Sequence, residues 1–210
     1  MTDSGKPEYW NERYRQGITP WNIGQANPVW INFIRSFPQK TRILFPGAGH
    51  AHEAIVLHRR GYTECWICDW SAEAIDLVKR REPDFPESQL LWKDFFELEG
   101  TYDLIIEQTF LSALPPTWRG RYVRQMHRLL SPGGTLAALL FASPMNTDRP
   151  PFGGSEAIYK ALFSPYFHFL QFKISEESIP PHLGNEFFLE MRPLPDKDRT
   201  PTDTKGQPPD

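Results

Sequence analysis

The feature that most limits how this chain can fold is Arg42-Ile43-Leu44-Phe45-Pro46-Gly47-Ala48-Gly49-His50-Ala51-His52-Glu53, an apolar run that breaks into a glycine turn and resumes as a helical pattern. Two glycines one residue apart at a strand end let the backbone bend sharply and approach a ligand where a Cβ would intrude. A second apolar run, Cys65-Trp66-Ile67-Cys68, closes on Asp69. That spacing from the turn is where a carboxylate accepts hydrogen bonds from ribose hydroxyls. The glycine pair is a weak signal alone, because many such pairs are only tight turns, and the acid at the next strand end strengthens it.

A dinucleotide fingerprint places a third glycine where this chain has His52, so that the helix packs closely and leaves room for a pyrophosphate. Histidine there argues against NAD or FAD. S-adenosylmethionine, which has a ribose and no phosphates, fits better.

The remaining chain supplies the frame. Glu8 to Gln16 reads as a helix ended by Gly17, and Asn27-Pro28 reads as a cap and first turn ahead of an apolar face of Trp30, Ile31, Ile34 and Phe37. Helices are expected over Ala54–Arg60, over Ala72–Arg81 behind the cap Ser71, from Pro115-Pro116 to Leu130, and over a short stretch around Ala157 to Phe163. Strands are expected at the apolar runs ending at Pro46, Asp69, Lys93, Glu107 and Phe141, followed by an antiparallel pair, Phe167–Ile174 and Glu186–Met191. Alternation of strands and helices at these lengths implies a mostly parallel sheet with helices on both faces. Ligands in such sheets bind beyond the strands' carboxyl ends, where Gly47, Asp69, Asp94 and Glu107 all fall.

With 210 residues and 40% hydrophobic content the chain can bury one sizeable core. The reading is one structural domain, with a helical lid or extension over 1–40, a cofactor-binding core over 41–192 and a disordered tail over 193–210, where prolines and charges leave little to bury. A formal charge of −3 with no basic run argues against a nucleic-acid partner. No long apolar stretch suggests a signal peptide or membrane span, so a cytoplasmic monomer is expected. Cys65 and Cys68 have redox spacing, but three residues along a strand they point to opposite faces, about 10 Å apart, and read as core residues. His50 and His52 have no third ligand nearby and read as solvent-facing residues at a helix start, not as a metal site. Spacing alone makes Trp10, Tyr14 and Trp21 packing residues of the N-terminal extension.

Several motifs occur in order: Tyr9-Trp10 with Arg13-Tyr14, Gly17-x-Thr19-Pro20-Trp21-Asn22-x-Gly24, Phe45-Pro46-Gly47-Ala48-Gly49, Asp69-Trp70-Ser71, Asp94-Phe95-Phe96, Tyr102-Asp103-Leu104-Ile105-Ile106-Glu107 and Leu130-Ser131-Pro132-Gly133-Gly134. In these, from about Tyr9 to Arg192, the chain resembles the thiopurine S-methyltransferase superfamily, most closely its thiol and halide methyltransferase branch. The resemblance implies a Rossmann-like class I methyltransferase fold, α/β, with a seven-stranded mostly parallel sheet whose last strand is antiparallel. It implies S-adenosylmethionine as methyl donor. Trp10, Tyr14 and Trp21 would then line the cofactor pocket, against the packing role that spacing suggests. Gly47 and Gly49 would pass under the methionine part, Asp69 with Trp70 and Ser71 would form the ribose-side motif, Asp94 and Phe95 would hold the adenine, and Gln108 would contact the cofactor. Ala48 replaces the usual cysteine between the glycines, and Asn22 the usual aspartate of the tryptophan loop.

The function implied is methyl transfer to a small soft nucleophile, whether thiol, thiopurine, halide or chalcogen, by in-line displacement; the alternative is a non-catalytic protein that only binds the donor. A thiolate or halide loses no proton as it attacks, so no base is required. Glu107 is either a base or a strand-end carboxylate that shapes the pocket. Phe110 and Phe152 are expected to line the acceptor, from their places at the end of the fourth strand and in the Pro150–Gly154 loop.

Overall fold

The computed structural model describes residues 4–180 and 182–195. Seven strands run β1 (Ile43–Pro46), β2 (Cys65–Asp69), β3 (Leu90–Trp92), β4 (Tyr102–Gln108), β5 (Leu130–Phe141), β6 (Phe167–Ile174) and β7 (Glu186–Pro193). They form one sheet in the order β3-β2-β1-β4-β5-β7-β6, in which β7 alone runs opposite to the other strands. The helices are α1 (Pro7–Arg15), α2 (Pro28–Phe33), α3 (His52–Arg59), α4 (Ala72–Arg81), α5 (Phe110–Ala113), α6 (Arg119–Leu129) and α7 (Glu156–Phe163).

Strand alternation builds two apolar layers. Ile43, Phe45, Ile67, Leu104 and Ile106 point to one face, where Trp30 of α2, Leu57 of α3 and Val78 of α4 cover them. Leu44, Cys68 and Ile105 point to the other, under Tyr122 and Met126 of α6 and Phe163 of α7. The central strands are apolar on both sides because both sides are covered. The same alternation separates the cysteines: Cys65 lies in the first layer and Cys68 in the second, both free, and burial pushes the Cys65 thiol up to about 12.

The local signals act as their chemistry requires. Asn27 caps α2 by accepting the Val29 N–H at 3.1 Å, and its own N–H donates to Glu53 on α3 at 2.8 Å. Asn27→Ala is therefore expected to lower stability by about 1–2 kcal/mol, read as a reduced urea midpoint with an unchanged m-value. Ser71 caps α4 through Ala74 N–H. Arg15 to Glu73 at 2.9 Å and Ser71 to Asn11 at 2.7 Å fasten α1 beside the start of α4.

Three boundaries differ from expectation. Ser131-Pro132-Gly133-Gly134 is not a break before the fifth strand but a bulge within it, since Leu130 already pairs with Tyr102 and pairing resumes at Thr135 with Leu104. The short helix α5 follows β4 directly, entered through Thr109 at φ +63°. At the other end β7 continues through Pro193, and Leu194 N–H still donates to Tyr166 O at 2.8 Å, so the expected tail does not start at 193. Residues 196–210 lie outside the described residues.

Candidate active site

The strand ends on the carboxyl side of β1 to β4 open onto a cavity of about 410 Å³. That is ample for a small cofactor. Because β7 runs antiparallel, the residues that precede it reach the same edge, so the cavity extends from Asp94 after β3 to His182 and Asn185 before β7. A smaller cavity of about 70 Å³ lies behind the glycine turn and shares Trp21, Gly47 and Thr109 with the first.

The glycine turn is held from both sides. Gly47 and Gly49 take φ of +56° and +55°, in the left-handed region. A Cβ on Gly47 would lie 2.2 Å from the Phe110 ring, and one on Gly49 would lie 2.7 Å from the Tyr14 hydroxyl. Asp69 clamps the turn to β2: Oδ2 accepts from Gly49 N–H at 3.0 Å and Oδ1 from Ser71 N–H at 2.9 Å. Burial raises its carboxyl to about 6 despite these bonds. A carboxylate has about four acceptor positions, so Asp69 retains capacity toward the cavity it lines.

The aromatic residues of the N-terminal segment close over this turn. Trp10 meets Trp21 edge to face at 5.4 Å, and Tyr14 meets Trp21 at 5.7 Å; all three line the cavity. Burial, and then the Asp69 charge, hold the Tyr14 hydroxyl well above its ordinary pKa, so it stays protonated as a donor. Their packing is real, but it is packing around a cavity.

Asp94 lines the far end and accepts from Phe96 N–H at 2.9 Å, beside the buried Phe95 and the half-buried Trp70. Phe110 lines the cavity and packs edge to face on Phe95 at 5.2 Å. Gln108 lines the smaller cavity instead; its Oε1 accepts from Trp30 Nε1 at 2.6 Å, which turns its amide N–H₂ outward from that bond.

Three expected residues stand elsewhere. Ser71 is fully buried against Asn11 and α4 and lines neither cavity. Phe152 is also a neighbour and not a wall: its N–H donates to Ser112 O at 2.7 Å, its ring is buried, and Pro150 and Pro151 take the lining positions. Glu107 points the way Ile105 does, into the second apolar layer, and has no exposed surface. Its Oε1 accepts from Leu111 N–H at 2.9 Å, while Oε2 and the Tyr122 hydroxyl are buried without partners. Burial pushes this carboxyl up to about 8, so it is protonated at neutral pH, and it lines neither cavity.

His50 and His52 are not simple solvent-facing residues. Their rings stack at 5.7 Å, and His52 contacts Asn22 Oδ1 at 2.8 Å and Arg81 at 3.0 Å. Desolvation, then Arg81, lowers His52 to about 4. Among the described residues no cluster could hold a metal ion.

Arg13, Lys93, Thr109, Phe141, Met145, His182 and Asn185 also line the cavity, none of them assigned a site role from the sequence. The rule that placed Asp69 and Asp94 at strand ends applies to the start of an antiparallel strand as well, and would have found His182 and Asn185.

The family model for thiopurine S-methyltransferase matches residues 5–186. The chain belongs to this family. It is 28% identical over 185 residues to the probable thiol methyltransferase 2 of Arabidopsis thaliana, covering 84% of this chain and 81% of the relative. It is 25% identical over 187 residues to thiocyanate methyltransferase 1 of the same plant, with 84% and 81% covered. The thiopurine S-methyltransferase of Methylococcus capsulatus shares 27% over 184 residues, with 77% and 82% covered. Among solved structures, the Burkholderia thailandensis 1,6-didemethyltoxoflavin-N1-methyltransferase, which holds S-adenosylhomocysteine, has a TM-score of 0.70 at 18% identity over 90% of this chain and 87% of its own. Magnesium protoporphyrin IX methyltransferase from Synechocystis, with bound S-adenosylmethionine, reaches 0.68 at 15% identity over 89% and 94%.

This member of the thiopurine S-methyltransferase family is thus an S-adenosylmethionine-dependent methyltransferase with a Rossmann-like fold, acting on a small nucleophile. The residues present suit the donor: a glycine turn with no room for a Cβ, a buried acid at the end of β2, and aromatic rings for a sulfonium cation. Among the described residues no helix is long and apolar enough to cross a membrane.

Proposed function

We propose that this methyltransferase acts on a soft sulfur nucleophile, a small thiol before a thiopurine, halide or chalcogen. The observation that carries the reading is the cavity's change of character along the sheet edge. Asp69 and Asp94 line it beyond β2 and β3, whereas Phe110, Phe141, Met145, Pro150 and Pro151 line it beyond β4 and β5. The first part suits a nucleoside and the second a small, weakly hydrated acceptor. Relatives named for thiols and thiocyanate agree with it.

In this reading Asp69 accepts from the ribose hydroxyls, with Trp70 beside it. Ser71 acts only by fixing Asp69 and α4. Asp94 and Phe95 hold the adenine, Gly47 and Gly49 lie under the methionine part, and Gln108 presents its amide to that part. Trp10, Tyr14 and Trp21 close over the donor as a lid formed by residues 1–40. We read the protein as a cytoplasmic monomer, the compartment because its two buried cysteines are unpaired.

When bound, S-adenosylmethionine supplies a methyl group on a positively charged sulfur. Aromatic faces attract that cation by roughly 0.5–2 kcal/mol, yet the charge fades on transfer, so stronger attraction would favour the ground state. The chain contributes chiefly by alignment of the two sulfurs and exclusion of water by the aromatic lid.

Calorimetric titration with S-adenosylmethionine and S-adenosylhomocysteine tests the site. Asp69→Ala is expected to weaken both by at least tenfold, since a charged acceptor is worth about 1.5–3 kcal/mol. Equal affinity in the variant would place the ribose elsewhere. A screen of thiols, iodide and thiopurines then ranks the acceptors, and an enzyme active on iodide and inert to every thiol would overturn the thiol assignment.

A further inference from the structure

His182 stands between β6 and β7, in a loop tied to the end of β5 by Ala142 N–H to Asn185 O and Ser143 Oγ to Asn185 Oδ1, both at 2.9 Å. Its ring lies edge to face on Phe141 at 5.2 Å and lines the same cavity as Asp69 and Phe110. Nδ1 contacts Glu186 Oε1 at 3.0 Å. Glu186 is 1% exposed, and its other oxygen accepts from the Ser178 hydroxyl at 2.6 Å. Both oxygens of the carboxylate are therefore engaged, which fixes it on the first residue of β7, and it fixes the imidazole in turn. With Nδ1 committed, Nε2 is the nitrogen free for a ligand, and no described residue bonds it.

From this geometry we infer that His182, oriented by Glu186, takes the proton from a thiol acceptor and holds the resulting thiolate. The inference rests on the thiol assignment above. Neutral imidazole Nε2 accepts the S–H proton, leaving a thiolate beside an imidazolium whose charge Glu186 balances. A thiolate lone pair then forms the new S–CH₃ bond. The bond from methyl to the donor sulfur breaks, its electron pair stays on that sulfur as a neutral thioether, and the proton leaves the imidazole for water after the product departs. Arg13, Asp69, Lys93 and Asp94 line the same cavity, but among the described residues Glu186 is the charged group that acts on His182, and it raises the imidazole pKa above the ordinary value. A stronger base results, ready above that pKa. His182 is the catalytic residue here and Glu186 a positioning residue.

The discriminating experiment is the pH profile of kcat/KM with benzyl mercaptan, an apolar thiol that suits the lining, in the intact enzyme and in His182→Ala, His182→Gln and Glu186→Gln. A thiol with pKa of about 8.5 or above is at most a few per cent ionised at pH 7. Loss of the base should therefore reduce the rate roughly 30-fold or more at pH 7. The deficit should close to within about threefold by pH 9.5, where water has already taken the proton. Glu186→Gln should move the rising limb to lower pH, because the carboxylate that raises the imidazole pKa is gone. A loss of the same size at every pH, or none at pH 7, overturns the inference, as does a Glu186→Gln limb that stays in place. S-adenosylhomocysteine affinity, measured alongside, should remain within about threefold in the His182 variants. Failure of the intact enzyme to methylate any thiol while it methylates iodide removes the thiol assignment and this inference together; an altered profile shape at fixed thiol activity concerns His182 alone.

Discussion

Gly47→Ala is expected to abolish measurable binding of S-adenosylhomocysteine and to lower stability by about 2–5 kcal/mol. Two terms add. A left-handed backbone costs an L-residue about 1–2 kcal/mol, and Gly47 has φ +56°. The new Cβ would also lie 2.2, 2.6 and 2.8 Å from three atoms of the Phe110 ring. That ring cannot simply swing aside, because it packs on Phe95 at 5.2 Å and Tyr122 at 6.0 Å, and its backbone leaves Thr109 at φ +63°. Overpacking of this kind costs about 1–3 kcal/mol. Displacement of the ring goes into the cavity both partners line. In a Phe110→Ala background, Gly47→Ala should cost only the backbone part relative to Phe110→Ala alone, since the overlap has been removed. Urea unfolding and calorimetric titration of the single and double variants check this; a Gly47→Ala protein that binds within threefold of the parent would show that the ligand does not press on this turn.

How far the sequence reveals such a site depends on whether the deciding contact is local. The turn at Gly47, the acids Asp69 and Asp94, and the cap at Asn27 are legible because strand ends and helix starts have local chemistry. Cys65 and Cys68 are legible for the same reason, since strand alternation alone separates their faces. The roles of Trp10, Tyr14 and Trp21 are not local. Their spacing gives packing, and only the fold shows that they pack around a cavity. Phe152 illustrates the opposite error: an aromatic residue in a plausible loop is buried behind its own prolines. His182 is legible only once the strand-end rule is turned round for an antiparallel strand. Its cavity position follows from the strand order, which is a property of the whole sheet.

Glu107 was legible as a strand-end acid but not as a buried one, and its burial yields the second large effect. The folded carboxyl holds its proton up to about pH 8, against an ordinary value of 4.5, because burial disfavours the charged form. Between those values the folded protein binds more protons than the unfolded chain, so stability falls as pH rises. The contribution is fully present below pH 4.5 and lost as pH passes through about 8, over a range on the order of 5 kcal/mol at 1.36 kcal/mol per unit. Asp69, raised to about 6, adds a fall of the same sign at lower pH, and His182, raised by its bond to Glu186, adds one of the same sign above the ordinary imidazole value. Glu107→Gln removes the Glu107 share alone. The amide oxygen can still accept from Leu111 N–H, and the amide N–H₂ offers a donor toward the partnerless Tyr122 hydroxyl, with no charge to bury. The variant should match the parent near pH 5 and exceed it by a few kcal/mol at pH 8.5. Its urea midpoint should decline less than that of the parent between pH 6 and 8. A variant whose midpoint declines in parallel with the parent would show that the carboxyl is already ionised in the folded protein.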